Sequence, residues 1–81
     1  MFRYLVFPAS DGWRVRLEND DRSLRFDTLQ SAERRARWLS MRAAVQGAES
    51  EILLLDDAGA TVGRWRGERY ESLRPFIVVA A

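Results

Sequence analysis

Apolar and polar residues alternate strictly through GWRVRLE, residues 12–18. Trp13, Val15 and Leu17 fall on one side, Arg14, Arg16 and Glu18 on the other. A period of two marks a half-buried strand. Upstream, FRYLVFP at residues 2–8 is dense in aromatic and β-branched residues and stops at a proline. Between the two, ASDG at 9–12 supplies turn chemistry, with Asp11-Gly12 favouring a tight reversal. NDDR at 19–22 is a second turn, and SLRF at 23–26 sets Leu24 and Phe26 against Ser23 and Arg25. The pattern predicts three antiparallel strands joined by short turns.

The period then changes. At about 100° per residue, Leu29, Ala32, Ala36, Leu39 and Ala43 form one stripe of a helix. Asp27 or Thr28 can cap its first turn, and Gly47 is a plausible C-terminal stop. SEILLL at 50–55 reads as a buried strand, DDAG at 56–59 as a hairpin turn, and ATVGRWR at 60–66 as the returning strand. The order is βββαββ. It predicts an α+β domain over residues 1–66, an antiparallel sheet of about five strands with one helix packed on a face. Residues 67–81 read as a C-terminal extension, polar at first and then apolar from Pro75, packed on the domain or on a partner subunit. Its tail can add an edge strand.

The same helix carries a second apolar stripe. Trp38, Met41 and Val45, at i, i+3 and i+7, lie opposite the first. A helix with two apolar sides must cover both or expose one, and an exposed apolar patch marks an interaction site. The terminal PFIVVAA poses the same problem, so Phe76, Ile77 and Val78 join Trp38, Met41 and Val45 as candidate interaction residues. Closed two-fold dimers commonly finish such surfaces.

Charge adds a rival. Arg34, Arg35, Arg37 and Arg42 spread around more than half of the helix, and Glu33 with Arg37 makes an ordinary solvated i,i+4 pair. The sheet is the better basic surface. With Trp13, Val15, Leu24 and Phe26 toward the helix, Arg14, Arg16 and Arg25 face away together. Arg3 joins them if Tyr4 and Val6 point inward, as do Arg64 and Arg66 from the last strand. Such a face could lie against phosphates. The plainer reading is the polar side that any open antiparallel sheet presents.

Composition narrows the chemistry. The 81 residues contain no cysteine and no histidine, which removes thiolate sites, disulfides and the commonest metal ligand and general base. Every basic residue is arginine, and the formal net charge is only +1. Codon usage in a GC-rich genome explains the missing lysines more readily than selection for bidentate contacts does. The adjacent acids, Asp20-Asp21 and Asp56-Asp57, sit where turns use Asp for backbone hydrogen bonds. No catalytic group, cofactor or metal is expected. MFRYLVF lacks the features of a secretory leader, and no segment approaches the ~20 apolar residues that span a bilayer. A cytoplasmic chain without membrane contact is the expectation.

The spacing of Gly12-Trp13-x-Val15, of Phe26-x-Thr28 leading into Ala32 and Ala36, and of AESEILLLDDAG resembles an uncharacterised, DUF2188-like family of short bacterial proteins. The resemblance covers residues 2–66 and leaves the C-terminal fifteen outside. It implies a small structural domain and brings no activity with it. The expected function is a non-enzymatic protein-interaction module that self-associates as a homodimer. The alternative is a nucleic-acid-binding module using Arg3, Arg14, Arg16, Arg25, Arg64 and Arg66.

Overall fold

The computed structural model describes residues 1–73. Three strands, β1 (Phe2–Ala9), β2 (Gly12–Leu17) and β3 (Leu24–Phe26), precede one helix, α1 (Leu29–Val45). Three more follow: β4 (Ser50–Leu55), β5 (Thr61–Arg66) and β6 (Arg69–Ser72). All six strands form one sheet in the order β3-β2-β1-β4-β5-β6. The architecture is α+β, as the periodicities predict.

Two features differ from expectation. A sixth strand, β6, lies inside the span assigned to the C-terminal extension and pairs antiparallel with β5. Its four residues are all exposed, so no apolar alternation announces it. The sheet is also mixed, because β1 pairs with β4 in parallel. The 17 residues of α1 span about 25 Å, comparable to the length of a strand. The helix therefore carries the chain back to the end of the sheet where β1 began. A strand that starts there can only run parallel to β1.

Local chemistry sets the ends of α1. Thr28, in extended backbone conformation, accepts a hydrogen bond from the Ser31 amide at 3.1 Å and is the N-cap, rather than Asp27. At the other end Gly47, at φ 81°, takes the left-handed conformation that glycine adopts without a Cβ clash. The Gly47 amide donates to the Ala44 carbonyl at 2.9 Å and the Ala48 amide to Ala43 at 2.8 Å. That pair of bonds satisfies carbonyls the helix would otherwise leave free.

Ala32 and Ala36 are fully buried, and Ala43 nearly so. Small side chains let the helix sit close to the sheet, where Tyr4, Val6, Val15, Ile52 and Leu54 rise to meet it. Trp13, Leu17, Phe26, Leu29, Leu39, Val62 and Trp65 ring this core half-buried. One helix is only about 10 Å across, whereas each added strand widens a sheet by about 4.8 Å. Accordingly α1 packs over β1, β4, β2 and part of β3. It does not reach over β5 and β6, whose helix side no other described element covers.

Candidate interaction surface

The pairing register decides which side chains share a face. Leu5 stands opposite Arg16 and Leu53, Phe7 opposite Arg14, Arg14 opposite Arg25, Leu53 opposite Arg64 and Arg3 opposite Glu51. Arg66 follows Arg64 two residues later on the same strand. All six candidate sheet arginines thus lie on the face turned away from α1. The expected grouping is present.

Their surroundings were not foreseen. Glu51, with only 6% of its side chain exposed, accepts from Arg3 at 2.7 Å and from Arg66 at 3.3 Å. Arg3 also reaches Glu18 at 3.4 Å. Arg14 pairs with Asp11 at 2.7 Å and donates to the Ser23 hydroxyl, while Arg25 pairs with Asp27 at 3.0 Å and approaches Asp11. Arg64 bonds to Glu71 across β5 and β6. Arg16 donates to the carbonyls of Leu17, Glu18 and Asp20 and stacks on Phe7. The arginines hold Glu51, Asp11 and Glu71 ionised. Arg3, followed by Arg66, holds Glu51 below the ordinary glutamate range despite its burial. Arg14 does the same for Asp11 and Arg64 for Glu71. This face is a charge-compensated lattice over a strip of Leu5, Phe7 and Leu53.

The opposite situation holds on α1. Trp38 is 42% exposed, Met41 62% and Val45 84%, along the one stripe directly away from the sheet. Arg34, Arg35, Arg37 and Arg42 make no ion pair among the described residues. Instead, three of them lie on aromatic rings. The Arg35 and Arg42 guanidiniums sit 5.1 and 4.8 Å from the Trp38 ring centre, inside cation–π range. Arg37 sits 4.3 Å from the ring centre of Trp65.

Glu33 and Arg37, read from sequence as an i,i+4 pair, both turn to Trp65. Glu33 accepts from its indole N–H at 3.1 Å while Arg37 covers its ring. The pair fastens the flank of α1 to β5, which the helix backbone does not reach. Beyond this clasp lies an open groove of about 660 Å³ among the described residues, lined by Arg34, Arg37 and the acids Glu33 and Glu68 around Trp38 and Trp65. Trp65 is shelved from the far side by Tyr70, with ring centres 5.2 Å apart. Tyr70 in turn lies across Gly63, where an added methyl group would overlap its hydroxyl. Neither Trp65 nor Gly63 stands out in the sequence, because their roles depend on β6.

Phe76, Ile77 and Val78 lie outside the described residues. Asp56 is a turn residue, as expected: its carboxylate accepts from the Ala58 and Ala60 amides, each at 2.9 Å. Asp20 likewise accepts from the Arg22 amide and guanidinium, and Arg22 holds it below the usual aspartate value. Among the described residues no group of three acids gathers in metal-binding proximity. No helix among them is long and apolar enough to cross a membrane.

A mixed six-stranded sheet with one helix on a face, an acid-paired arginine lattice behind and an exposed tryptophan stripe in front defines a small α+β domain. The chain belongs to the DUF2188 family, described as an uncharacterized protein conserved in bacteria, which matches residues 4–69. That match extends through the turn into β6, beyond the hairpin where the sequence resemblance stops. No curated protein and no solved structure matches the chain.

Proposed function

We propose that this domain is a non-enzymatic protein-interaction module that docks a partner on the outer stripe of α1 and the groove beside it. The supporting observation is the exposure of Trp38, Met41 and Val45 together on one helix face. An apolar stripe of this kind costs solubility unless something covers it. Tryptophan and arginine are also the residues that contribute most when buried at interfaces. The non-enzymatic reading draws on a chain without histidine or cysteine and on carboxylates committed to arginines and turn amides. A cytoplasmic location belongs to the same proposal, and fractionation of a tagged chain tests it.

A photo-crosslinking residue at position 41 should give discrete adducts in cells, while one at exposed Asp57 should not. An adduct of twice the chain's mass would identify the homodimer. Equal labelling from both positions would sink the reading.

Nucleic acid on the sheet face remains the second reading, favoured by the common orientation of the six arginines. A phosphate there would have to displace a carboxylate from most of these guanidiniums. Titration with mixed-sequence DNA and RNA at low salt tests it. Non-specific binders reach roughly micromolar to hundred-micromolar affinity, so no binding in that range discards it.

A further inference from the structure

We infer that the occupant of the α1 surface is an acidic amphipathic segment of another protein, its apolar side chains at helical spacing and flanked by carboxylates. This deepens the docking reading above and rests on it.

The inference comes from how the chain treats its arginines. On the sheet face each guanidinium has a carboxylate or a carbonyl. On α1, Arg35 and Arg42 flank Trp38 and, like Arg34, make no ion pair among the described residues. Stacking on Trp38 holds Arg35 and Arg42 in place while leaving their N–H groups without a carboxylate. A guanidinium held in this way is pre-organised for a bidentate acid. The apolar part has its own geometry. Trp38, Met41 and Val45 make a line at i, i+3 and i+7, the form in which one helix lies along another. Beside that line the groove between α1 and Trp65, where Glu33 and Glu68 balance Arg34 and Arg37, has room for an apolar anchoring side chain, while the flanking carboxylates meet Arg35 and Arg42.

A second copy fits less well. It would bring the same arginines to the interface, and burying unpaired cations costs more than the apolar contact returns. Nucleic acid fits less well for a different reason. Met41 and Val45 offer a phosphate nothing, and the Trp38 ring is already stacked by arginines instead of standing open for a base.

Calorimetry on the full chain tests the inference with three probes. One is a short helical peptide with leucine at i, i+3 and i+7 and flanking glutamates. The second replaces each glutamate with lysine, and the third is a mixed-sequence single-stranded oligonucleotide. The acidic peptide should bind, more weakly as salt rises, with the lysine peptide at least about tenfold weaker. The combined Arg34→Gln, Arg35→Gln and Arg42→Gln variant, checked for folding by circular dichroism, should lose about tenfold or more. Arg14→Gln with Arg25→Gln should lose nothing.

Equal binding of both peptides would overturn the acidic preference and leave the docking surface standing. Oligonucleotide binding in place of peptide would overturn the choice of a protein. Self-association in sedimentation velocity, abolished by Trp38→Ala, would name a second copy as the occupant and likewise overturn it. So would acidic-peptide binding that appears only after residues 75–81 are removed, which would make the chain's own end the occupant. Peptide binding indifferent to Trp38→Ala, or no binding and no self-association, would overturn both readings.

Discussion

The sheet face away from α1 and the outer face of α1 both carry clusters of arginine beside apolar side chains, and they have opposite electrostatic fates. Behind the sheet, Glu51, Asp11, Glu18, Asp27 and Glu71 stand across strands and turns from the guanidiniums and neutralise them. On the helix, the one acid within a turn of these arginines, Glu33, bonds to the Trp65 indole instead, and Arg35, Arg37 and Arg42 rest on rings. Counting arginines ranks the sheet first as a binding surface. Counting what each arginine already holds ranks the helix first. A paired guanidinium has little left to offer a partner, because recruiting it means breaking a bond in hand.

The largest expected effect lies in the frame that both surfaces share. Ile52 is 1% exposed at the centre of the core, and Ile52→Ala should cost about 3 kcal/mol in denaturant unfolding. In so small a domain that loss should weaken both surfaces together. A variant unfolding like wild type would mean that the two faces are not built on one core.

Next comes the sheet lattice itself. Glu51→Gln should cost about 1–2 kcal/mol, the loss of charged hydrogen bonds tempered by the exposure of Arg3 and Arg66. The same carboxylate predicts a pH dependence. Its folded pKa lies below the ordinary 4.5, so the unfolded chain takes up the proton first. Its stabilisation is complete above 4.5 and is lost as pH falls through the depressed folded value. Asp11 and Glu71 act in the same sense. The melting temperature should drop on acidification below 4.5, and Glu51→Gln should flatten that drop. A slope unchanged in the variant would show that Glu51 does not carry the lattice.

Smaller effects belong to α1. Thr28→Ala should cost about 1 kcal/mol through loss of the cap, read as a lower melting temperature with unchanged acid sensitivity. Trp38→Ala should cost least, under about 1 kcal/mol, since exposed cation–π contacts are weak and alanine is the better helix former. A loss of several kcal/mol at Trp38 would make the outer stripe a structural element and end the contrast with the sheet face.

The strands β1 to β5, the helix, its two stripes and most of its punctuation were legible along the chain. Each rests on near neighbours: alternation for the strands, a 3.6 period for α1, Thr28 and Gly47 for its ends, Asp11 and Asp56 for the turns. The grouping of Arg3, Arg14, Arg16, Arg25, Arg64 and Arg66 was legible too, because side-chain direction in a strand follows parity. The parallel β1–β4 pair was within reach, since a helix of this length joining two strands returns the chain to its starting end.

Beyond local pattern, the sequence could not say which strand lies beside which. The strand order decided that Arg3 of β1 meets Glu51 of β4 and that Arg66 of β5 meets the same carboxylate. It also brought Glu33 and Arg37 of α1 to Trp65 instead of to each other. The strand β6 was invisible for a related reason. With every residue exposed, its formation rests on backbone pairing to β5 and on Tyr70 crossing Gly63, neither of which leaves an apolar period. Periodicity records how a segment meets water; the partner of each charge is set by contacts between residues far apart in the chain, and only the folded sheet brings them within a few ångströms.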